Sequence, residues 1–202
     1  VVHVLRQVCH SLAEAHARGL VHRDVKPANV FLCRSGLDAD VAKVLDFGLV
    51  HSVTRDAGND LTLSADGLAG MVGTPAFMAP EMIRGGDVDA RADIYALGCL
   101  VHFLLTGRPV FEGTTTMQVL LAHVGTPPEP PSRRAPGAVP PWLDAVVLAC
   151  LDKDPAQRPP SVSNVLARVA LGGGPAWSST DAWAWWHAHT PAAVTTSETG
   201  GD

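Results

Sequence analysis

The stretch Ala92–Leu105 is an apolar run of about 14 residues carrying one charge, Asp93. It falls short of the roughly 20 apolar residues that a membrane-crossing helix needs. A buried central helix is therefore expected, closed by Thr106 and Gly107, with the rest of the chain packed around it. A carboxylate inside such a helix is costly to bury unless other groups donate to it. The alternative is a charge near a helix N-terminus, where the helix dipole favours it.

Around this run the pattern is mostly helical. Val1, Val4, Leu5, Val8, Leu12 and Ala15 recur at three- and four-residue spacing, which marks one face of a helix over Val1–Ala17 with Gly19 as a left-handed stop. Val30–Cys33 and Val41–Leu45 read as short strands joined by a turn over Arg34–Asp40. Residues 46–80 are rich in Gly, Ser, Thr, Asp and Asn with little period, the profile of a long functional loop. Further helices are expected at Thr115–Val124, Pro141–Leu151 and Ser161–Leu171. The fold class is mainly α, a helical bundle with one small β-hairpin, over residues 1–171. Gly172, Gly173, Gly174 and Pro175 then read as a linker, and 190–202 as a disordered tail. Between them Trp177, Trp183, Trp185 and Trp186 are dense enough to dock on the parent domain or a neighbour.

Charge and cysteine usage exclude several classes. The net charge is −5 and no basic run offers a footprint for nucleic acid. Cys9, Cys33, Cys99 and Cys150 lie far apart among apolar residues, so they read as small core side chains in a reducing, cytoplasmic setting. Nine histidines come without HExxH or CxxC, and His187 and His189 sit in the Trp-rich segment, so scattered core or surface histidines are expected. Val1 leads directly into the first helix without a charged leader, so no signal peptide is expected and the protein is expected to start upstream.

Three short motifs carry chemistry. His22-Arg23-Asp24-Val25-Lys26-Pro27-Ala28-Asn29 places a carboxylate and an amide five residues apart. Phosphoryl transfer needs such spacing, because the carboxylate orients an attacking hydroxyl while the amide oxygen holds a metal ion that bridges the phosphates. Asp46-Phe47-Gly48 follows 22 residues after Asp24, at the end of a strand, where a second metal-binding carboxylate belongs. Ala79-Pro80-Glu81 closes the loop that Asp46 opens.

In this order the motifs resemble those of the eukaryotic-like, Hanks-type serine/threonine protein kinases. Gly73-Thr74-Pro75-Ala76-Phe77-Met78-Ala79-Pro80-Glu81 resembles the bacterial branch in particular. The resemblance extends from Val1 to about Leu171 and implies the C-terminal lobe of such a kinase. It implies Asp24 as catalytic base, Lys26 as a phosphate contact, and Asn29 and Asp46 as ligands of Mg²⁺ or Mn²⁺ on ATP. It further implies that Thr74 marks Ser/Thr specificity and that Arg158, in a DPAQRP run, partners Glu81. By the same resemblance Asp93 is expected to accept hydrogen bonds from the backbone of the catalytic loop, with His22, Phe47 and Gly48 as structural residues. Arg23 is the residue that would order a phosphorylated loop, with Thr62 and then Ser64 as the activating sites. Solvated surface charge is the alternative for Arg23 and Lys26.

The departures are as specific as the match. A kinase also needs a Gly-rich loop, a strand Lys and a helix Glu, and none occurs in the 202 residues. The expectation is a kinase piece without its N-terminal lobe, inactive alone, that acts on protein substrates when whole. A non-catalytic kinase-like interaction module is the other function class. A small-molecule phosphotransferase of the aminoglycoside type is disfavoured by Asp46–Gly48 together with Ala79–Glu81.

Overall fold

The computed structural model describes residues 1–36, 38–47, 74–173 and 177–189. Among these the chain forms seven α-helices and one antiparallel strand pair, so the mainly α expectation holds.

Helix α1, Val2–Ala17, buries Leu5, Val8, Cys9, Leu12 and Ala15 along the face that the spacing marks. It ends at Gly19, whose φ of 73° only glycine adopts freely. Leu20 N–H donates to the Ala15 carbonyl at 3.0 Å and Gly19 N–H to the His16 carbonyl at 2.9 Å, the paired bonds of a Schellman stop. Strands β1, Val30–Ser35, and β2, Asp38–Val44, pair from Val30 opposite Val44, with an irregularity between Cys33 and Ser35. Both reach further toward the tip than the expected turn over Arg34–Asp40 allowed. The reason is tertiary: α1 reaches across to β2, where Gln7 accepts from Ala42 N–H at 3.0 Å and donates to the Asp40 carbonyl at 2.7 Å. Those contacts outweigh the poor strand propensity of Asp38 and Asp40.

After the short helix α2, Pro80–Ile83, comes the central helix α3, Ala90–Thr106. Asp89 caps its start by accepting from Arg91 N–H at 2.8 Å, and Gly107 at φ 69° ends it. Every residue from Ala92 to His102 is buried, so the expected surrounded helix is what forms. Helices α4, Thr116–Gly125, α5, Pro141–Cys150, and α6, Val162–Leu171, lie within about one residue of expectation at each end. α5 crosses α3 so closely that a Cβ on Gly98 would fall 2.8 Å from the Cβ of Cys150. Cys9, Cys99 and Cys150 are buried free thiols whose pKa burial pushes up, whereas Cys33 is only half-buried.

A further helix, α7, Ser179–His189, was not expected from the pattern. Ser178 and Asp181 cap it reciprocally: Ser178 N–H donates to Asp181 Oδ2 at 2.9 Å and Asp181 N–H to Ser178 Oγ at 3.1 Å. The helix docks on the hairpin. Trp177 and Trp186 donate their indole N–H groups to Asp40 Oδ2 at 2.6 Å and Oδ1 at 2.5 Å. The Arg34 guanidinium lies 5.9 Å and 5.8 Å from the ring centres of Trp183 and Trp186. Where the chain leaves α6, Gly172 lies flat against Trp142, and a Cβ there would overlap the indole ring. No helix among the described residues is long and apolar enough to cross a membrane.

Candidate active site

The site is built on the carboxylate of Asp93, fully buried in the first turn of α3. It accepts from His22 N–H at 2.8 Å through Oδ2 and from Arg23 N–H at 2.7 Å through Oδ1, and His16 Nε2 adds a contact at 2.8 Å. Arg23 sits at φ 66°, a left-handed geometry that costs a non-glycine residue about 1–2 kcal/mol. Two charge-assisted hydrogen bonds offset that cost. The apolar helix therefore dictates the shape of the loop above it.

His22 ties the loop to the end of β2. Asp24 N–H donates to His22 Nδ1 at 3.2 Å, so the other nitrogen carries the proton and Nε2–H donates to the Leu45 carbonyl at 2.9 Å. The imidazole packs on Phe47 with ring centres 4.7 Å apart. A single turn of 3₁₀-helix over Pro27–Asn29, started by proline, brings Asn29 back to Asp24. Asn29 Nδ2 donates to the Asp24 carbonyl at 2.8 Å and to Asp24 Oδ2 at 3.0 Å, and Lys26 Nζ lies 2.8 Å from the same oxygen. This use of the amide nitrogen turns Asn29 Oδ1 away from Asp24.

Leu45 N–H donates to the Asn29 carbonyl at 2.8 Å, which brings the backbone of the next residue, Asp46 at φ 59°, near that of Asn29. A carboxylate and an amide oxygen are hard-oxygen donors of the kind Mg²⁺ takes. Thr74, Phe77, Met78 and Met82 line one depression with Arg23, Asp24 and Val25, so Thr74 faces the motif some fifty residues before it.

Glu81 and Arg158 meet away from that depression. Arg158 Nη1 and Nη2 donate to Glu81 Oε1 and Oε2 at 2.7 and 2.8 Å, Nε donates to the Asp152 carbonyl at 2.8 Å, and Nη1 to the Arg91 carbonyl at 2.8 Å. The guanidinium also stacks 4.8 Å from the Tyr95 ring centre. Its side chain is wholly buried, and this parallel pairing fixes the 79–81 turn against α3. Gly48, Thr62 and Ser64 lie outside the described residues. Residue patterns alone gave no hint of His16, nor of the Tyr95–His123 pair, whose phenol and Nδ1 are 2.8 Å apart; a single histidine on a helix carries no spacing signal.

Comparison with known proteins identifies the family. The protein kinase domain model matches residues 1–169. The chain is similar to the serine/threonine-protein kinase PknB of Mycolicibacterium smegmatis, 39% identical over 177 residues, which cover 86% of this chain and 27% of that protein. It is likewise similar to PknB of Mycobacterium tuberculosis, 40% identical over 157 residues, 78% of this chain and 24% of that one. Pkn1 of Myxococcus xanthus is 46% identical over 163 residues, 81% of this chain and 22% of that one. The matched stretch is thus about a quarter of the length of each of these relatives.

Proposed function

The chain belongs to the bacterial, Hanks-type serine/threonine protein kinase family, and on that premise we propose that residues 1–171 are the C-terminal lobe of an enzyme that moves the γ-phosphate of ATP to Ser or Thr of cytoplasmic protein substrates. The observation that carries the reading is the convergence of Asp24, Lys26 and Asn29 in one hydrogen-bonded cluster, with the backbone of Leu45, next to Asp46, bonded to Asn29.

In this reading Asp24 orients the substrate hydroxyl and takes up its proton as the new bond forms. Lys26, held on Asp24, would contact the phosphate being transferred. Asn29 Oδ1 and Asp46 would hold the divalent cation, which would neutralise developing phosphate charge. Thr74, across the depression from Asp24, restricts the acceptor to an aliphatic hydroxyl. Arg23 receives a phosphate placed on Thr62 or Ser64, since its guanidinium offers paired donors to a phosphoryl group. Glu81, Asp93 and Arg158 hold these groups in place.

The test uses the full-length protein. Asp24→Asn and Asp46→Ala are each expected to lower kcat by at least about 10²-fold in transfer from labelled ATP, with little change in melting temperature. Turnover close to that of the parent in both variants would replace this reading with that of a non-catalytic interaction module.

A further inference from the structure

Among the described residues two buried side-chain nitrogens have no hydrogen-bond partner, Nε2 of His102 and Nε2 of His123. The second stands at the end of a line of hydrogen bonds. Lys153 Nζ donates to Tyr95 Oη at 3.2 Å and to the Ala122 carbonyl at 3.5 Å, and Tyr95 Oη lies 2.8 Å from His123 Nδ1. The line has a direction. An ammonium only donates, and Lys153 is still mostly charged at neutral pH although burial pushes it down to about 8. Tyr95 Oη therefore accepts from Lys153 and donates its own proton to His123 Nδ1. Burial pushes His123 down to about 4, so the ring is neutral and carries its one proton on Nε2.

That N–H is fully buried and donates to nothing, a cost the fold leaves uncompensated. Phe111, perpendicular to the imidazole with ring centres 4.9 Å apart, offers it no more than a weak contact with a π face. A better acceptor is close by. α4 packs against the 3₁₀ turn over Pro75–Phe77, and the Ala76 backbone of that turn is near enough to the ring to favour its protonated form. Arg84 Nη2, donating to the Val124 carbonyl at 3.0 Å, ties the end of α4 to the residue that follows α2. Thr74 and Phe77, which flank the turn's Ala76, are walls of the depression that holds Asp24.

We propose that His123 is a positioning residue for the protein acceptor: when an acceptor occupies the depression, His123 Nε2–H donates to the Ala76 carbonyl and holds Thr74 and Phe77 in place across from Asp24. The inference rests on the reading of Asp24 as the group that orients the acceptor hydroxyl. His123 touches neither acceptor nor nucleotide and acts through the Pro75–Phe77 turn, with Lys153 and Tyr95 fixing which of its nitrogens carries the proton. A bond made only in the acceptor complex strengthens acceptor binding, so its loss is read in KM for the acceptor. Asn29 and Asp46 lie outside the line, so KM for ATP is left alone.

The experiment uses the full-length protein, with the parent's best acceptor from a library of Ser- and Thr-containing peptides as probe. KM for that peptide, KM for ATP, kcat and melting temperature are measured for the parent, His123→Leu, His123→Gln and Tyr95→Phe. His123→Leu, which has no donor, is expected to raise the peptide KM about tenfold while KM for ATP and kcat stay within about twofold of the parent. His123→Gln returns an amide donor near the position of Nε2 and recovers most of that loss. Tyr95→Phe removes the bond that fixes the tautomer and falls between the two; it carries the test if His123→Leu does not fold. A merely structural role would instead lower melting temperature and kcat together, with no recovery by His123→Gln, and that result overturns the proposal. Transfer by the parent with the peptide KM unmoved in the variants, or with KM for ATP rising in step with it, overturns the proposal alone. Absence of transfer by the parent overturns the kinase reading and this proposal with it.

Discussion

Two buried carboxylates organise this chain, and they do so by different means. Asp93 gathers backbone N–H groups from His22 and Arg23, whereas Asp40 gathers indole N–H groups from Trp177 and Trp186. Backbone donors at a buried turn have no other partner, so the first carboxylate sets the conformation of the chain itself, down to the left-handed Arg23. The indole donors belong to half-exposed side chains that water can serve in part, so the second sets only where α7 lies. One acid shapes a loop; the other parks a helix. Both acids lie within the 1–169 stretch matched by the kinase model, whereas α7, which Asp40 holds, lies beyond it.

If that contrast is right, Asp93→Ala gives the largest loss. It strands two backbone donors and one imidazole in a dry site and is expected to lower unfolding free energy by roughly 3–5 kcal/mol in urea titration. A loss near that of an exposed Asp→Ala change breaks the comparison. Next comes Glu81→Gln, which leaves the buried Arg158 guanidinium without its countercharge and costs about 3 kcal/mol. Arg158→Met added to it should recover part of the loss, because the stranded cation is then gone.

Much of the first region was legible through its motifs and the resemblance they carry. The structure brings Asp24, Lys26 and Asn29 together and joins Glu81 to Arg158. Asp93 was legible on cost alone, as an acid in an apolar helix must be satisfied by something. The Asp40 clasp was not legible. Asp40 reads as an ordinary turn residue, and its partners stand 137 and 146 residues away, so only the density of tryptophan hinted at docking. The pattern also missed α7 itself, because indoles, histidines and alanines from Ser179 to His189 surround the helix without forming one apolar stripe. His16 and the Tyr95–His123–Lys153 contacts escaped for a related reason: a buried polar network is decided by three-dimensional neighbours.

Acid sharpens the comparison at a smaller scale. Burial holds His123 down to about 4 and also lowers His102, whereas an unfolded histidine titrates near 6.5. Between those values the unfolded chain binds a proton that folded His123 does not, so stability falls as pH drops, by up to about 1.4 kcal/mol per unit, and levels off below about 4. Melting curves from pH 7 to 4 should show this slope, and His123→Asn should flatten it relative to the parent. The smallest effect belongs to Asp40→Asn, which keeps a residue tolerant of φ 59° but turns one acceptor into a donor. A loss of about 1 kcal/mol is expected, with red-shifted tryptophan emission and faster proteolysis near α7, while the Asp93 hub stays intact. A loss as large as that of Asp93→Ala would make the two carboxylates equivalent.

The flat contact of Gly172 on Trp142 starts α7 on its way from a fixed point, with only a few residues before Trp177. Docking of the tryptophan helix is therefore a unimolecular event, and so short a tether sustains an effective concentration on the order of millimolar. Contacts that would be too weak to hold a free peptide of this sequence are sufficient to keep it seated. Added in trans, that peptide would compete poorly with the tethered copy, and only a chain severed between Gly173 and Trp177 would exchange it readily.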